Sequence, residues 1–89
     1  MDDTKYDFSV VNRAGLTQQE FAQLIGVGRL TVHFWMKGKR KPSRYLAKKV
    51  RKALALLAKA VDENKLPGAM PPPVRGAMVQ RVAYIRAAL

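Results

Sequence analysis

The sequence contains no cysteine and only one histidine, His33, among its 89 residues. The lack of cysteine excludes a disulfide framework and any thiolate metal site. A single histidine argues equally against a histidine-based metal centre, so we expect no metal and no other cofactor. With six acidic residues in all, and no serine, cysteine or acid placed near His33 in the sequence, the chain offers no credible catalytic constellation. We therefore do not expect an enzyme.

Acidic residues are missing from the whole middle of the chain. None occurs between Phe21 and Val61, whereas basic residues are dense there, and the formal net charge of the chain is +11. Charge this one-sided is typical of a protein that binds a polyanion. The alternative is a solvated basic surface that only keeps a small protein soluble.

Long apolar runs are also missing, and no segment approaches the length of a membrane span. We therefore expect a cytoplasmic protein that does not bind membranes. Hydrophobic residues make up 48% and charged residues 26% of the chain, which is typical of a folded domain. A domain this short buries a modest core, and dimerisation is a natural way to add stability.

The periodicity of the apolar residues predicts an all-α fold, a compact bundle of about five helices. No useful length of chain alternates apolar and polar residues with the period of a strand. Thr17 with Glu20 forms a capping box for the second helix, and Ser43 is placed to cap the fourth. Glycines stop three of the helices. The predicted helices cover residues 4–14, 17–25, 28–36, 44–62 and 74–88.

The C-terminal part of the chain has its own composition. Residues 65–73 form a Pro/Gly-rich connector, which separates a domain at 1–64 from a last helix within 74–89. Apolar residues recur along this helix in steps of three and four, and they form either intrachain core or a dimer seam. Because the connector allows the helix to reach a partner, we favour a dimer interface made of Val74, Met78, Val82, Ile85 and Leu89.

Residues 17–38 form the most informative pattern, two short amphipathic helices joined by a glycine turn. Ala22 is small where the helices must cross, and Gly26 permits the sharp turn four residues later. Val32 and Trp35 lie three apart and pack the second helix against the first. A basic segment follows at once. This arrangement suits a helix-turn-helix that places its second helix in the major groove of DNA.

These residues resemble the helix-turn-helix of the Cro and phage-repressor family of bacterial and phage regulators. Residues 16–22 are similar to the family's opening helix and residues 25–27 to its turn. Thr31, Val32, Trp35 and Gly38 match the recognition helix and its exit, and residues 39–43 resemble the loop that follows. The resemblance implies a lambda-repressor-like five-helix bundle, which usually binds a near-palindromic operator on double-stranded DNA as a homodimer.

The resemblance also implies roles for individual residues. Arg29 is the best candidate to read a base, because a guanidinium can bind guanine O6 and N7 together. Leu30 and Phe34 stand where family members often carry polar base readers. They either contact thymine methyl groups or pack within the protein. The implied base contacts are Gly28, Arg29, Leu30, His33 and Phe34, and the implied phosphate contacts are Gln18, Lys37, Lys39, Arg40, Lys41, Ser43 and Arg44.

We therefore expect a sequence-specific transcriptional regulator, a Cro-like phage or prophage repressor located with the nucleoid. One alternative is the antitoxin of a toxin–antitoxin pair, or a small-operon autoregulator, whose C-terminal helix binds a partner protein. A second is a non-specific architectural or RNA-binding protein, which the basic charge alone would also fit.

Overall fold

The computed structural model describes residues 6–89, and within that range the chain forms five α-helices and no strand. The predicted all-α bundle is thus confirmed. The predicted start of the first helix, at Thr4, lies outside the described residues. In chain order the helices are α1 (Ser9–Arg13), α2 (Gln18–Ile25), α3 (Arg29–Met36), α4 (Arg44–Asp62) and α5 (Met78–Ala88).

Helix α1 begins at Ser9, later than its apolar periodicity predicts, and Asp7 accepts two hydrogen bonds from this first residue. The backbone N–H of Ser9 donates to Asp7 Oδ1 at 3.1 Å, and the Ser9 hydroxyl donates to the same oxygen. The hydrogen bond from the Ser9 hydroxyl lowers the pKa of Asp7, with the Ser9 backbone N–H and the charge of Arg13 acting in the same direction. The Asp7 side chain, which the predicted helix of residues 4–14 included, therefore lies before the first residue of α1.

The caps of α2 and α4 are where the sequence places them. The Glu20 N–H donates to Thr17 Oγ1 at 3.1 Å, and the Thr17 N–H donates to Glu20 Oε1 at 2.9 Å, which completes the capping box. The Leu46 N–H donates to the Ser43 hydroxyl oxygen at 3.3 Å. Each cap satisfies backbone donors that have no partner within the helix.

One core joins all five helices. Phe21 lies at its centre with no exposed surface, and it meets Phe8 edge-on at a ring-centroid distance of 6.2 Å. Phe8 also stacks on Trp35 of α3 at 6.2 Å. Fully burying a side chain of this size contributes about 1.5–3 kcal/mol. The other fully buried large side chains are Val10, Val11, Ile25, Val32, Val50 and Leu57.

The C-terminal segment corrects the predicted start of the last helix. Val74 was expected to begin the helix, but α5 begins at Met78. Gly76 has a φ of +85°, which an α-helix does not accept, and the Val74 N–H turns back to the Pro72 carbonyl at 2.8 Å. Leu66 is 2% exposed and Met70 packs against the core, so the first part of the segment between α4 and α5 packs on the bundle, whereas residues 72–76 are exposed.

Helix α5 is tied to α2 by a buried ion pair. The Arg81 side chain donates from Nε to Glu20 Oε2 at 2.5 Å and from Nη2 to Glu20 Oε1 at 2.9 Å. It also donates to the carbonyl oxygens of Gly15, at 2.6 Å, and Pro71. Both charged residues are only 3% exposed. One arginine thus joins four parts of the chain.

The capping box and the ion pair share one carboxylate. Burial by itself raises the pKa of Glu20, but the hydrogen bonds from Arg81 and the Thr17 N–H outweigh it, and the net effect lowers this pKa. The hydrogen bond to Glu20 raises the pKa of Arg81, against the opposing effect of burial. Both side chains are therefore charged at neutral pH. Because Arg81 lies 61 residues from Glu20 in the chain, the local pattern that predicted the capping box does not indicate this ion pair.

Candidate nucleic-acid interface

The turn between α2 and α3 depends on Gly26. Its φ of +95° lies in the left-handed region, where a side chain is strained. The N–H groups of Gly26 and Val27 both donate to the Ala22 carbonyl, at 2.7 and 3.0 Å, and so close the end of α2. Ala22 itself is 1% exposed. Gly26 thus forms the turn after α2, and Ala22 is buried one helical turn before it.

Helix α3 has one buried side. Val32 is fully buried and Trp35 is 5% exposed, so both pack against the rest of the bundle as predicted. With 3.6 residues per turn, the opposite side carries Leu30, Phe34 and Lys37, four and three residues apart. Gly28 caps the helix in an extended conformation, and Arg29 opens its first turn.

The residues predicted to contact bases differ in exposure. Gly28, Arg29 and Leu30 are exposed, with Leu30 reaching 61%. His33 and Phe34 are half-buried, and their ring centroids lie 6.0 Å apart. These five residues run from Gly28, the N-cap of α3, to Phe34 in its second turn.

The exit from α3 turns the basic loop back beside the helix. Gly38 has a φ of +75°, and its N–H donates to the Trp35 carbonyl at 3.1 Å while the Lys39 N–H donates to the Phe34 carbonyl at 3.0 Å. This is the Schellman arrangement, which closes a helix end with a glycine. The Arg40 guanidinium then lies over the Phe34 ring, 5.5 Å from its centroid.

All five cations predicted to contact phosphates lie between the C-cap of α3 and the first residue of α4. Lys37, Lys39, Arg40, Lys41 and Arg44 are exposed, as is Ser43. Among residues 6–89, the salt bridges are Arg13–Asp7, Lys65–Glu63 and Arg81–Glu20, and none of them uses a cation of α3 or of the loop after it. The described part of the chain also holds no cluster of His, Cys, Asp and Glu that fits a metal ion.

Gln18 lies at the first turn of α2, where a phosphate contact is predicted. Its side chain is half-buried, and its Nε2 lies 3.5 Å from the Met36 Sδ at the end of α3. The amide thus bridges the two helices of the motif, and its contact with phosphate stays a prediction.

Two exposed side chains near this face are absent from the predicted set. Tyr45 is 90% exposed beside Arg44, in the first turn of α4. A Cβ at Gly26 would lie 3.7 Å from the Lys49 Nζ, so the Lys49 ammonium group lies close to the turn between α2 and α3. The sequence could have indicated that Tyr45 is exposed. It is an aromatic residue that follows a basic loop and a helix cap, and by helical spacing it faces away from the apolar stripe of α4.

The residues predicted to form a dimer interface differ in their burial. Ile85 is 3% exposed and belongs to the core of its own chain. Met78, Val82 and Leu89 are half-buried, and Val74 is 60% exposed in the loop before α5. The buried side of α5 thus includes Arg81 and Ile85, which differs from the predicted stripe. Because Ile85 lies in the core, it cannot contribute to a dimer in this conformation. Val79, which was not in the predicted set, is 80% exposed.

Within residues 6–89, no helix combines the length and the apolar character needed to cross a bilayer. A comparison with protein-family models matches residues 10–59, more than half of the chain, to the family described as "Helix-turn-helix". The matched range begins within α1 and ends within α4. Neither the comparison with curated proteins nor that with solved structures yields a match.

Proposed function

This chain belongs to the helix-turn-helix family of the Cro/C1 type, which makes it a DNA-binding transcriptional regulator, and we propose that it is a sequence-specific repressor. The observation that carries the proposal is the outer face of α3. It presents exposed Arg29 and Leu30 beside half-buried His33 and Phe34, and cations surround it. A short helix held at a sharp turn with such a face fits the major groove.

The exit loop supplies the affinity in this proposal. Lys39, Arg40 and Lys41 are exposed beside the end of α3, and each cation that neutralises a phosphate releases counterions. Affinity then falls steeply with salt, with a slope of about −0.9 per phosphate contact in a plot of log affinity against log salt. Replacing these three residues by glutamine flattens that slope by up to about 2.7 if each contacts one phosphate.

Selection of bound duplexes from a random pool tests the proposed function. We expect an enriched half-site repeated with near-palindromic symmetry and a spacing of about 34 Å, which places two recognition helices on one face of the duplex. A pool without any enriched sequence would contradict a regulator. It would favour the non-specific architectural or RNA-binding alternative.

The operator's symmetry requires a homodimer, and we place its interface on the outer side of the C-terminal segment. Val79 is 80% and Val74 60% exposed there, whereas Ile85 is committed to the core. Val79→Glu is then expected to raise the dimer dissociation constant in sedimentation and, at protein concentrations where the wild type is monomeric, to leave the unfolding midpoint unchanged. An unaltered dimer would exclude this surface. Val74→Glu tests its extent.

A second candidate function uses the same surface. The exposed valines equally suit a partner protein, as in an antitoxin or a small-operon autoregulator. A stable complex with the product of a neighbouring gene, sensitive to Val79→Glu, would favour this candidate over the homodimer. In either case we place the protein on the nucleoid, in the cytoplasm of a bacterium or phage-infected cell. Within the helix-turn-helix family, we propose a Cro-like repressor of a phage or prophage.

A further inference from the structure

Leu30 is an exposed large apolar side chain in the first turn of α3, the proposed recognition helix. It is 61% exposed, and it opens the line that continues through Phe34 to Lys37. A charged or amide side chain at this position would be better solvated in the free protein. The exposed leucine thus costs solubility and suits a ligand that offers an apolar group.

Phe34, the second large apolar residue of this face, is differently placed. It is half-buried, and the Arg40 guanidinium lies 5.5 Å from its ring centroid. Its π-face is therefore engaged by a cation of the chain itself. Of the two residues that the sequence left open between groove contact and packing, Leu30 is the one whose side chain lies open to a ligand.

The surroundings of Leu30 identify the ligand as nucleic acid rather than an apolar protein surface. Arg29 precedes it, and Lys37 and Arg40 lie toward the other end of α3, all exposed. No acidic residue occurs between Phe21 and Val61 to balance these charges. A partner must then be negatively charged around an apolar centre. In the major groove, the apolar group that a base edge presents is the C5-methyl of thymine, and phosphates flank the groove on both sides.

We propose that Leu30 reads a pyrimidine C5-methyl group in the half-site, next to the base that Arg29 contacts. This proposal rests on the proposed function and adds the chemical group that is recognised. Thymine and 5-methylcytosine both carry this methyl group, whereas uracil and cytosine lack it. Leu30 is therefore expected to make the same methyl contact with 5-methylcytosine at this position as it makes with thymine.

The test begins with the operator obtained by selection. Each thymine of one half-site is replaced in turn by deoxyuridine, which removes the methyl group and keeps every hydrogen-bonding group. Burying one methyl contributes about 0.8 kcal/mol, so the dissociation constant of the wild-type protein should rise about fourfold at one thymine. At that position, a 5-methylcytosine–guanine pair should bind about fourfold more tightly than a cytosine–guanine pair.

Leu30→Ala assigns the effect to the side chain. This variant is expected to bind the thymine and deoxyuridine duplexes equally, and to lose the distinction between cytosine and 5-methylcytosine. Its folding should be intact because the leucine is exposed, which thermal unfolding checks. Gln80→Ala, a truncation at an exposed position on α5, is the matched control and should keep the fourfold preference.

The possible outcomes separate the two proposals. If an operator is enriched but no thymine responds to deoxyuridine by more than about twofold, the methyl-reading proposal is wrong while the regulator stands. A response that persists in Leu30→Ala, or that disappears in Phe34→Ala alone, also overturns it. If no operator is enriched, the proposed function fails, and the proposal falls with it.

Discussion

Replacing Arg81 by methionine should destabilise the whole domain, although Arg81 lies far along the chain from the helix-turn-helix. Methionine keeps the apolar stem but removes the guanidinium that holds Glu20, which is 3% exposed. Breaking a buried pair by removing one partner costs about 3–5 kcal/mol, because an uncompensated charge stays buried. A domain of 89 residues has a free energy of unfolding of roughly 4–13 kcal/mol. The loss is therefore a large share of the total.

The assay is urea unfolding followed by the fluorescence of Trp35, the only tryptophan and 5% exposed. Arg86→Met is the matched control, since Arg86 is an exposed arginine of the same helix. It should change the free energy of unfolding by less than about 0.5 kcal/mol. In a double-mutant cycle with Glu20→Leu, the coupling between the two positions should be about 1–3 kcal/mol. Equal stabilities of Arg81→Met and Arg86→Met would refute the reasoning.

Three further predictions concern pH, base reading and the turn. Because the pKa of Glu20 is lowered in the folded protein, its ionisation stabilises the fold above the ordinary glutamate pKa of about 4.3, and this contribution is lost as the pH falls through the lowered value. The stability advantage of the wild type over Glu20→Gln should therefore shrink as the pH falls below about 4.3 in urea titrations; a constant gap would contradict the lowered pKa. Arg29→Ala should cost about 1–3 kcal/mol at one base position, measured with single-base operator variants, whereas a uniform loss over all sequences would make Arg29 a phosphate contact. Gly26→Ala should cost about 1–3 kcal/mol of folding free energy from its φ of +95°, whereas Gly28→Ser, at a φ of −79°, should be neutral or stabilising in thermal unfolding.

Local signals in the sequence predicted the caps and the turn of this fold. Thr17 with Glu20, Ser43, and the glycines at 26 and 38 act through hydrogen bonds or backbone angles within a few residues. The same holds for the pairing of Val32 with Trp35, which depends only on helical spacing. These features position the exposed side of α3. The sequence could therefore predict which helix, and which side of it, forms the candidate site.

Features that depend on distant parts of the chain were not predictable. A lone arginine in an amphipathic helix normally faces water, so the burial of Arg81 was not predicted. Its burial depends on Glu20 and on the carbonyls of Gly15 and Pro71, which only the folded chain brings together. The same contact rotates α5, so that Ile85 enters the core and Val79 stays outside. We favoured a dimer interface on the predicted stripe of the last helix because the connector of residues 65–73 would let that helix reach a partner. In the structure, Leu66 of this connector is buried in the bundle.

This placement changes how dimerisation must be tested. Deleting residues 71–89 removes Arg81 and leaves the carboxylate of Glu20 buried without its partner. Such a deletion is expected to unfold the DNA-binding domain, so a loss of operator binding would say nothing about a dimer. A substitution at the exposed Val79 leaves the ion pair intact and separates association from folding.

The affinity ratio between the selected operator and a scrambled duplex, measured at one physiological salt concentration, tests the central claim most directly. A regulator that reads bases through the exposed face of α3 should bind the operator at least about 10³-fold more tightly. The ratio should fall in Arg29→Ala and persist in Arg86→Met. Equal affinity for both duplexes, with the same salt dependence, would contradict the account and leave only non-specific attraction to the phosphate backbone.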